Sequence, residues 1–188
     1  MKAEDIATLE QAVVDAKKRL AEAVRAQAPQ PVNDYTLRYA ASGAHVRLLD
    51  LFGASTELLI VHNMGKKCVY CTLWADGFSS VYKHLANRCA FALTTPDDPA
   101  TAGAFASARD WTFPVLSHEG TSFAKDLGYN PGPGDFRPGV SALHRTSSGA
   151  IVRTATRPFG PGDDFCVVWP MLTLLNSASQ DWAPKFHY

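Results

Sequence analysis

The step from Leu58-Leu59-Ile60-Val61 to Cys68-Val69-Tyr70-Cys71 constrains this chain more than any other feature. A short, branched apolar run is the pattern of a buried strand. Beyond the cysteines, Phe78, Val81, Tyr82 and Leu85 share one helical face, which predicts a helix over 72–87. A strand that passes into a helix through a short turn sets its first cysteine at a helix N-terminus. Unpaired N–H groups and the axial dipole there favour thiolate over thiol. The second sulfur follows one turn later, within reach of a small disulfide ring.

The flanking segments fit an α/β domain. Cys89-Ala90-Phe91-Ala92-Leu93 reads as a second buried strand, Pro99 to Arg109 as a helix with proline near its start, and Trp111 to Leu116 as extended. Tyr35–Tyr39 and His45–Leu51 read as extended lead-in segments. Thr121–Leu127 reads as a short helix closed by Gly128, and 130–139 as a loop dense in proline and glycine. Val140–His144 and Ala150–Ala155 alternate around Ser147-Ser148-Gly149, a hairpin pattern. Asp163 or Asp164 is placed to cap a closing helix from Phe165 to Leu175. The order of elements predicts a sheet with helices on both faces.

Before all this, Ile6, Leu9, Val13, Ala16, Leu20 and Val24 recur at spacings of three and four, a narrow apolar stripe on a helix over 3–28. Pro29-Gln30-Pro31 ends it. The division expected is a helical arm over 1–30 and a domain over 31–188, the arm lying on the body or against its copy in a homodimer.

Charge and apolar patterning narrow the function classes. Eighteen basic residues balance eighteen acidic ones, so no net field draws the chain to nucleic acid or anionic lipid. No apolar run approaches the roughly 20 residues that cross a bilayer, and the N-terminus lacks a secretory h-region, so the expectation is cytoplasmic. In that compartment four cysteines are not a disulfide scaffold, and a close pair is redox-active or metal-binding.

In the redox reading Cys68 is the nucleophile, with Lys66 and Lys67 supplying positive charge, and Cys71 resolves a mixed disulfide on Cys68. The partner is then a disulfide- or thiol-containing molecule, and no cofactor is called for. The rival is zinc on Cys68, Cys71, His84 and Cys89, spaced C-x2-C-x12-H-x4-C. A third option is a binding or assembly protein in which the dithiol is a structural clamp. Haem attachment fails because Thr72, not histidine, follows Cys71. The stretch 61–67 has neither the proline nor the threonine that precede a peroxidatic cysteine. Gly132-Pro133-Gly134 lacks the lysine and hydroxyl of a phosphate loop. Cys89 and Cys166 read as inert core thiols, and His62 as either a tuning group or a hydrogen-bonded strand end. Trp74 packs over the site, Asp76 complements the helix N-terminus, and Asp97-Asp98 and Asp163-Asp164 read as caps.

The segment Cys68-x-x-Cys71-x-x-Trp74-Ala75-Asp76-Gly77-Phe78 resembles the signature of a bacterial thioredoxin-like family named as domain of unknown function 899. Asp110-Trp111-Thr112-Phe113-Pro114, Pro138-Gly139-Val140-Ser141, Val168-Trp169-Pro170 and the tail from Asp181 to Tyr188 carry the resemblance over 33–188. It implies an α/β fold, a thioredoxin-like central sheet flanked by helices, with the dithiol before the first main helix. It also makes Pro138 the candidate cis-proline facing the dithiol, with Arg137 offering its backbone to a substrate chain. Tyr70 and Trp74 complete the implied substrate-binding set. Thioredoxin itself carries tryptophan before its first cysteine and Gly-Pro within the pair. Here Lys67 and Val69-Tyr70 stand there, and bulky Tyr70 restricts access or selects the partner.

Overall fold

The computed structural model describes residues 5–176 and 182–188. Asp181 of the tail motif and the first two residues of the expected helix lie outside them. The apolar runs become strands β1 (Gln30–Val32), β2 (Thr36–Tyr39), β3 (His45–Arg47), β4 (Glu57–His62), β5 (Ala90–Thr95), β6 (Val115–Ser117), β7 (Gly139–Arg145) and β8 (Ile151–Pro158). Among them lie helices α1 (Ile6–Arg25), α2 (Val69–Arg88), α3 (Pro99–Ala108), α4 (Phe123–Asp126) and α5 (Val168–Leu172).

All eight strands join one sheet in the order β1-β8-β7-β4-β5-β6-β2-β3. β4, β5 and β6 run parallel, as helical crossovers require, and the other pairings are antiparallel. β4 is central, paired with β5 from Leu58 to His62 and with β7 from Glu57 to His62. Period-two alternation divides the core into two layers. Leu58, Ile60, Ala92 and Leu116 face one, with Phe123 of α4. Val61, Phe91, Leu93 and Val115 face the other, with Trp74 and Ala75 of α2 and Ala102 of α3. The expected α/β class, with helices on both faces, is what the chain adopts.

Two local expectations are corrected, and one segment left unassigned becomes a strand. The extended stretch at His45 stops at Arg47, and Leu48–Phe52 winds into a 3₁₀ turn that buries both Leu48 and Phe52 on one side. The proline-rich segment after α1 is a strand, β1, paired with β8. Proline is tolerated there because an edge strand has one row of N–H groups free of the ladder. The closing helix shrinks to Val168–Leu172 and carries no side-chain cap. Asp163 instead ties the preceding loop, accepting the N–H groups of Gly160 and Phe165 at 3.0 and 2.9 Å. Among the described residues no helix is long and apolar enough to cross a membrane.

Candidate functional site

β4 ends at His62 and α2 begins at Val69, so six residues must turn the chain and aim Cys68 at the helix. The turn is held at each step. Asn63 is buried and accepts the Gly65 N–H at 2.7 Å, an Asx-type turn, while its own N–H donates to Thr94 O at 2.9 Å. Gly65 has φ +99°, and a methyl group there would meet the Asp97 carboxylate at 3.1 Å, so glycine is required on both counts. Asp97 Oδ2 accepts the Lys66 N–H at 2.7 Å and the Thr95 hydroxyl at 3.0 Å. The Asp97 backbone is fixed in turn, its carbonyl accepting the Ser117 hydroxyl at 2.6 Å.

The product of this scaffold is Cys68 as N-cap of the 20-residue helix α2. Its Sγ accepts the Cys71 backbone N–H at 3.0 Å. Its carbonyl takes both the N–H and the hydroxyl of Thr72, at 3.1 and 3.0 Å. Cys68 is half-buried, whereas Cys71 is 3% exposed behind it. The two thiols are reduced and differ sharply in acidity. The Cys71 S–H, followed by the backbone N–H groups of Cys71 and Tyr70, brings Cys68 down to about 7 against the opposing effect of burial. The Cys68 thiolate and burial push Cys71 strongly upward. Lys66 and Lys67 are not among the groups that stabilise the thiolate. Direct hydrogen bonds at the cap do so, in place of the ammonium field expected from sequence.

Asp97 thus acts on the dithiol loop, although it reads in sequence as half of a capping pair; Asp98 is the cap, accepting the Thr101 N–H at 3.0 Å. The sequence signal that was available is Asn63-Met64-Gly65, a turn pattern that needs an anchor. We expect Asp97→Ala to cost about 2 kcal/mol, the worth of hydrogen bonds to a charged acceptor. It should also move the Cys68 titration midpoint upward from about 7. Denaturant unfolding and alkylation rate against pH measure the two effects.

The implied substrate-binding residues are distributed unevenly. Tyr70 is half-exposed, between Trp74 and Trp169 at ring distances of 6.3 and 6.2 Å. Trp74 is only 2% exposed and packs on Phe159, its indole N–H reaching Asp163 at 3.3 Å, so no face of it remains for a substrate. Pro138 directly precedes Gly139, which pairs with His62 at the end of β4. The cis-proline expectation fails, because no peptide bond among the described residues is cis. The chain around it is held extended: Pro138 O accepts the Phe159 N–H at 3.0 Å and the Arg137 N–H donates to Tyr129 O at 2.8 Å. The Arg137 N–H is therefore not open to an incoming strand, and its side chain pairs with Asp135.

His62 belongs to the opposite layer from the dithiol. Its ring stacks on Tyr129 at 3.7 Å, Nε2 lies 3.0 Å from Ser141 Oγ, and burial holds it neutral, well below the usual histidine range. It is a strand-end residue, and it does not touch the cysteines. Asp76 pairs with Arg109 and accepts the Trp111 indole N–H at 2.9 Å, while Arg109 reaches Phe186 O at 2.9 Å. Those motif residues lash α2, α3 and the tail together and leave the helix N-terminus alone. The zinc set is overturned by geometry. Cys68 and Cys89 are the two caps of α2, about 30 Å apart at 1.5 Å per residue. Among the described residues no three or more His, Cys, Asp or Glu are grouped to hold a metal. Burial raises the thiol pKa of both Cys89 and Cys166, as inert thiols require.

The model of a bacterial protein family of unknown function, DUF899, matches residues 3–169. The chain belongs to the DUF899 family. The match takes in α1, which the resemblance read from sequence had left outside, and stops before the tail. A search of curated proteins finds no match. Among solved structures, this DUF899 chain is similar to reduced Prx3 from Vibrio vulnificus in complex with hydrogen peroxide. The two share 17% identity and a TM-score of 0.59 over 79% of this chain and 99% of that one. It is also similar to the peroxidoxin BcpB of Mycobacterium tuberculosis (19%, TM-score 0.57, 69% and 84%). A hypothetical protein of Sinorhizobium meliloti matches as well (20%, TM-score 0.52, 74% and 77%). At these identities the likeness shows a shared fold, the thioredoxin-like one.

Proposed function

We propose that this DUF899 protein is a thiol–disulfide oxidoreductase in which Cys68 attacks and Cys71 resolves. One observation carries the reading: a half-exposed sulfur caps α2 and accepts the Cys71 backbone N–H at 3.0 Å, with the buried Cys71 one turn behind it in the helix. The Cys68 thiolate attacks one sulfur of a substrate disulfide, forming a mixed disulfide and expelling the other sulfur as a thiolate. That thiolate leaves as a thiol once protonated. Cys71 then gives up its proton and attacks Cys68 Sγ. The intramolecular disulfide forms and the second substrate sulfur departs, so two electrons pass from the pair to the substrate, one proton coming from Cys71 and the other from solvent.

The pair times itself. Cys71 is held protonated first by the Cys68 thiolate. Once Cys68 is bonded to substrate that negative charge is gone, and Cys71 ionises more readily at the step that needs it. Tyr70 forms the lip through which a partner approaches, and Arg137 and Pro138 lie on the segment leading into the strand next to β4. The partner is a disulfide-bearing molecule that can accept an aromatic contact.

A thiol peroxidase is the second reading; the fold shared with the peroxidoxin and Prx3 structures favours it, and the absence of proline and threonine from residues 61–67 ranks it below the first. There the Cys68 thiolate attacks a peroxide oxygen and releases an alcohol or water. The sulfenic acid formed condenses with Cys71 to the same disulfide and a water.

Alkylation of Cys68 by iodoacetamide across pH 5 to 10 tests the shared premise. The expected midpoint is about 7; an ordinary midpoint of about 8.5 would sink both readings. With dithiothreitol as electron source, turnover of oxidised glutathione and of hydrogen peroxide then separates them. Faster disulfide turnover supports the first reading and faster peroxide turnover the second.

A further inference from the structure

Lys66 and Lys67 are exposed, stand immediately before the half-exposed Cys68, and are absent from the groups that stabilise its thiolate. Among the described residues neither lysine has a carboxylate within ion-pairing distance. Consecutive Cα atoms lie about 3.8 Å apart, so both side chains spring from within about 8 Å of the nucleophile's backbone, roughly one Debye length at physiological salt. A thiolate repels an anionic molecule that approaches it. Two unpaired ammonium groups at its side reverse that repulsion and raise the encounter rate with anions. Their charge acts outward, on what approaches, rather than inward on the sulfur.

The other charged groups tied to this loop and to the start of α2 are already engaged. Asp97 takes the Lys66 N–H at 2.7 Å and the Thr95 hydroxyl at 3.0 Å. Asp98 caps α3 through the Thr101 N–H, and Asp163 takes the Trp74 indole N–H. Arg137 is spent on Asp135. Asp97 lies against the Lys66 backbone and offsets part of that residue's field, so Lys67 carries the larger share. The segment leading into β7 bears on the size of the molecule that fits. Backbone pairing with an extended chain is a common source of affinity for protein substrates. Here the Arg137 N–H is given to Tyr129 O at 2.8 Å, and Pro138 has no N–H, so that segment donates nothing to an incoming strand. A disulfide arriving there is held by its own charges and by the Tyr70 ring, which suits a small molecule.

We infer, resting on the oxidoreductase reading above, that Lys66 and Lys67 are specificity determinants that select small disulfides carrying carboxylates near the sulfur. The carboxylates meet the ammonium groups while Cys68 attacks the nearer substrate sulfur. One substrate thiolate leaves, Cys71 displaces the other, and both depart as carboxylate-bearing thiols. The substrate gains two electrons, the pair closes to its disulfide, and the protons come from Cys71 and solvent.

Oxidation of the fully reduced protein, freed of reductant, by three small disulfides near neutral pH tests it. Dithiodipropionate carries two carboxylates, hydroxyethyl disulfide is neutral, and cystamine carries two ammonium groups. Each rate is divided by that of the same disulfide with dithiothreitol, which removes intrinsic reactivity. The normalised rates should fall in that order, by about tenfold from first to last at low salt, and the spread should shrink at high salt. Lys66→Glu combined with Lys67→Glu should reverse the order, with Lys67→Glu alone giving most of the change. Alkylation of Cys68 by neutral iodoacetamide should stay within about twofold of the parent in the double variant, since the lysines do not set the thiolate fraction. Equal normalised rates, or an unchanged order in the double variant, overturn the inference and leave the oxidoreductase reading standing. A matching fall in the iodoacetamide rate overturns it too, by assigning the lysines to the thiolate itself. A disulfide-linked acidic peptide that outruns dithiodipropionate overturns the small-molecule assignment in favour of a protein substrate. Oxidation by none of the three removes the oxidoreductase reading and the inference together.

Discussion

The Cys68→Ser protein is expected to lose disulfide turnover by about 1,000-fold or more, because an alcohol at the cap of α2 is not ionised near neutrality and cannot attack sulfur. It should also trap no mixed disulfide. Substitutions at Cys71 are predicted to act differently from one another. Cys71→Ser keeps a side-chain donor toward Cys68 and the backbone N–H that caps it at 3.0 Å. Cys68 should therefore remain close to its midpoint of about 7 and still attack, and the mixed disulfide should accumulate for want of a resolving thiol. Cys71→Ala removes the foremost group that stabilises the thiolate, so its alkylation midpoint should rise toward the ordinary thiol value. Mass spectrometry of the trapped adduct and the pH–alkylation profile measure these outcomes. Full turnover in Cys68→Ser would remove Cys68 from the mechanism.

Gly139→Ala is expected to be the most destabilising single methyl addition near the site. A Cβ there would lie 2.5 Å from the Arg157 carbonyl oxygen and 2.5 Å from a ring carbon of Tyr129. The carbonyl belongs to β8, paired in register with β7, so it cannot withdraw without breaking the ladder. The expected loss is about 3 kcal/mol, at the upper end for overpacking a close-packed interior. Because Gly139 is the ladder partner of His62, the disturbance reaches the end of β4 and the turn that carries Cys68. A urea midpoint unchanged from the parent would show that the strands separate freely at this point.

Much of this architecture could be anticipated residue by residue. Leu58–Val61 is branched and apolar because β4 lies between two core layers, and such a run has few alternatives. Ser147-Ser148-Gly149 joins β7 to β8 through a turn with Gly149 at φ +83°, a conformation that glycine adopts freely. The dithiol at the start of α2 was legible for a similar local reason, since a strand, a short turn and an amphipathic face fall in sequence order. Where expectation and structure part, the deciding contacts are distant in the chain. Leu48–Phe52 turns because two side chains must enter the same core layer. Trp74 is lost to the interior because Phe159 and Asp163, 85 and more residues away, close over it. Asp76 lies within the same signature as the cysteines, yet its partner is Arg109, 33 residues on.

Sequence alone determined that a reactive-looking sulfur would stand where a strand meets a helix, because helix N-termini and apolar runs are properties of neighbouring residues. Only the tertiary structure decided which groups stabilise its charge. The loop is anchored by Asp97 from the β5–α3 connection, and the pairing of β4 with β5 brings that carboxylate to the Lys66 N–H. Local spacing sets helices and turns; hydrogen bonds between remote segments depend on how the sheet is ordered, and no neighbour-to-neighbour pattern encodes that order.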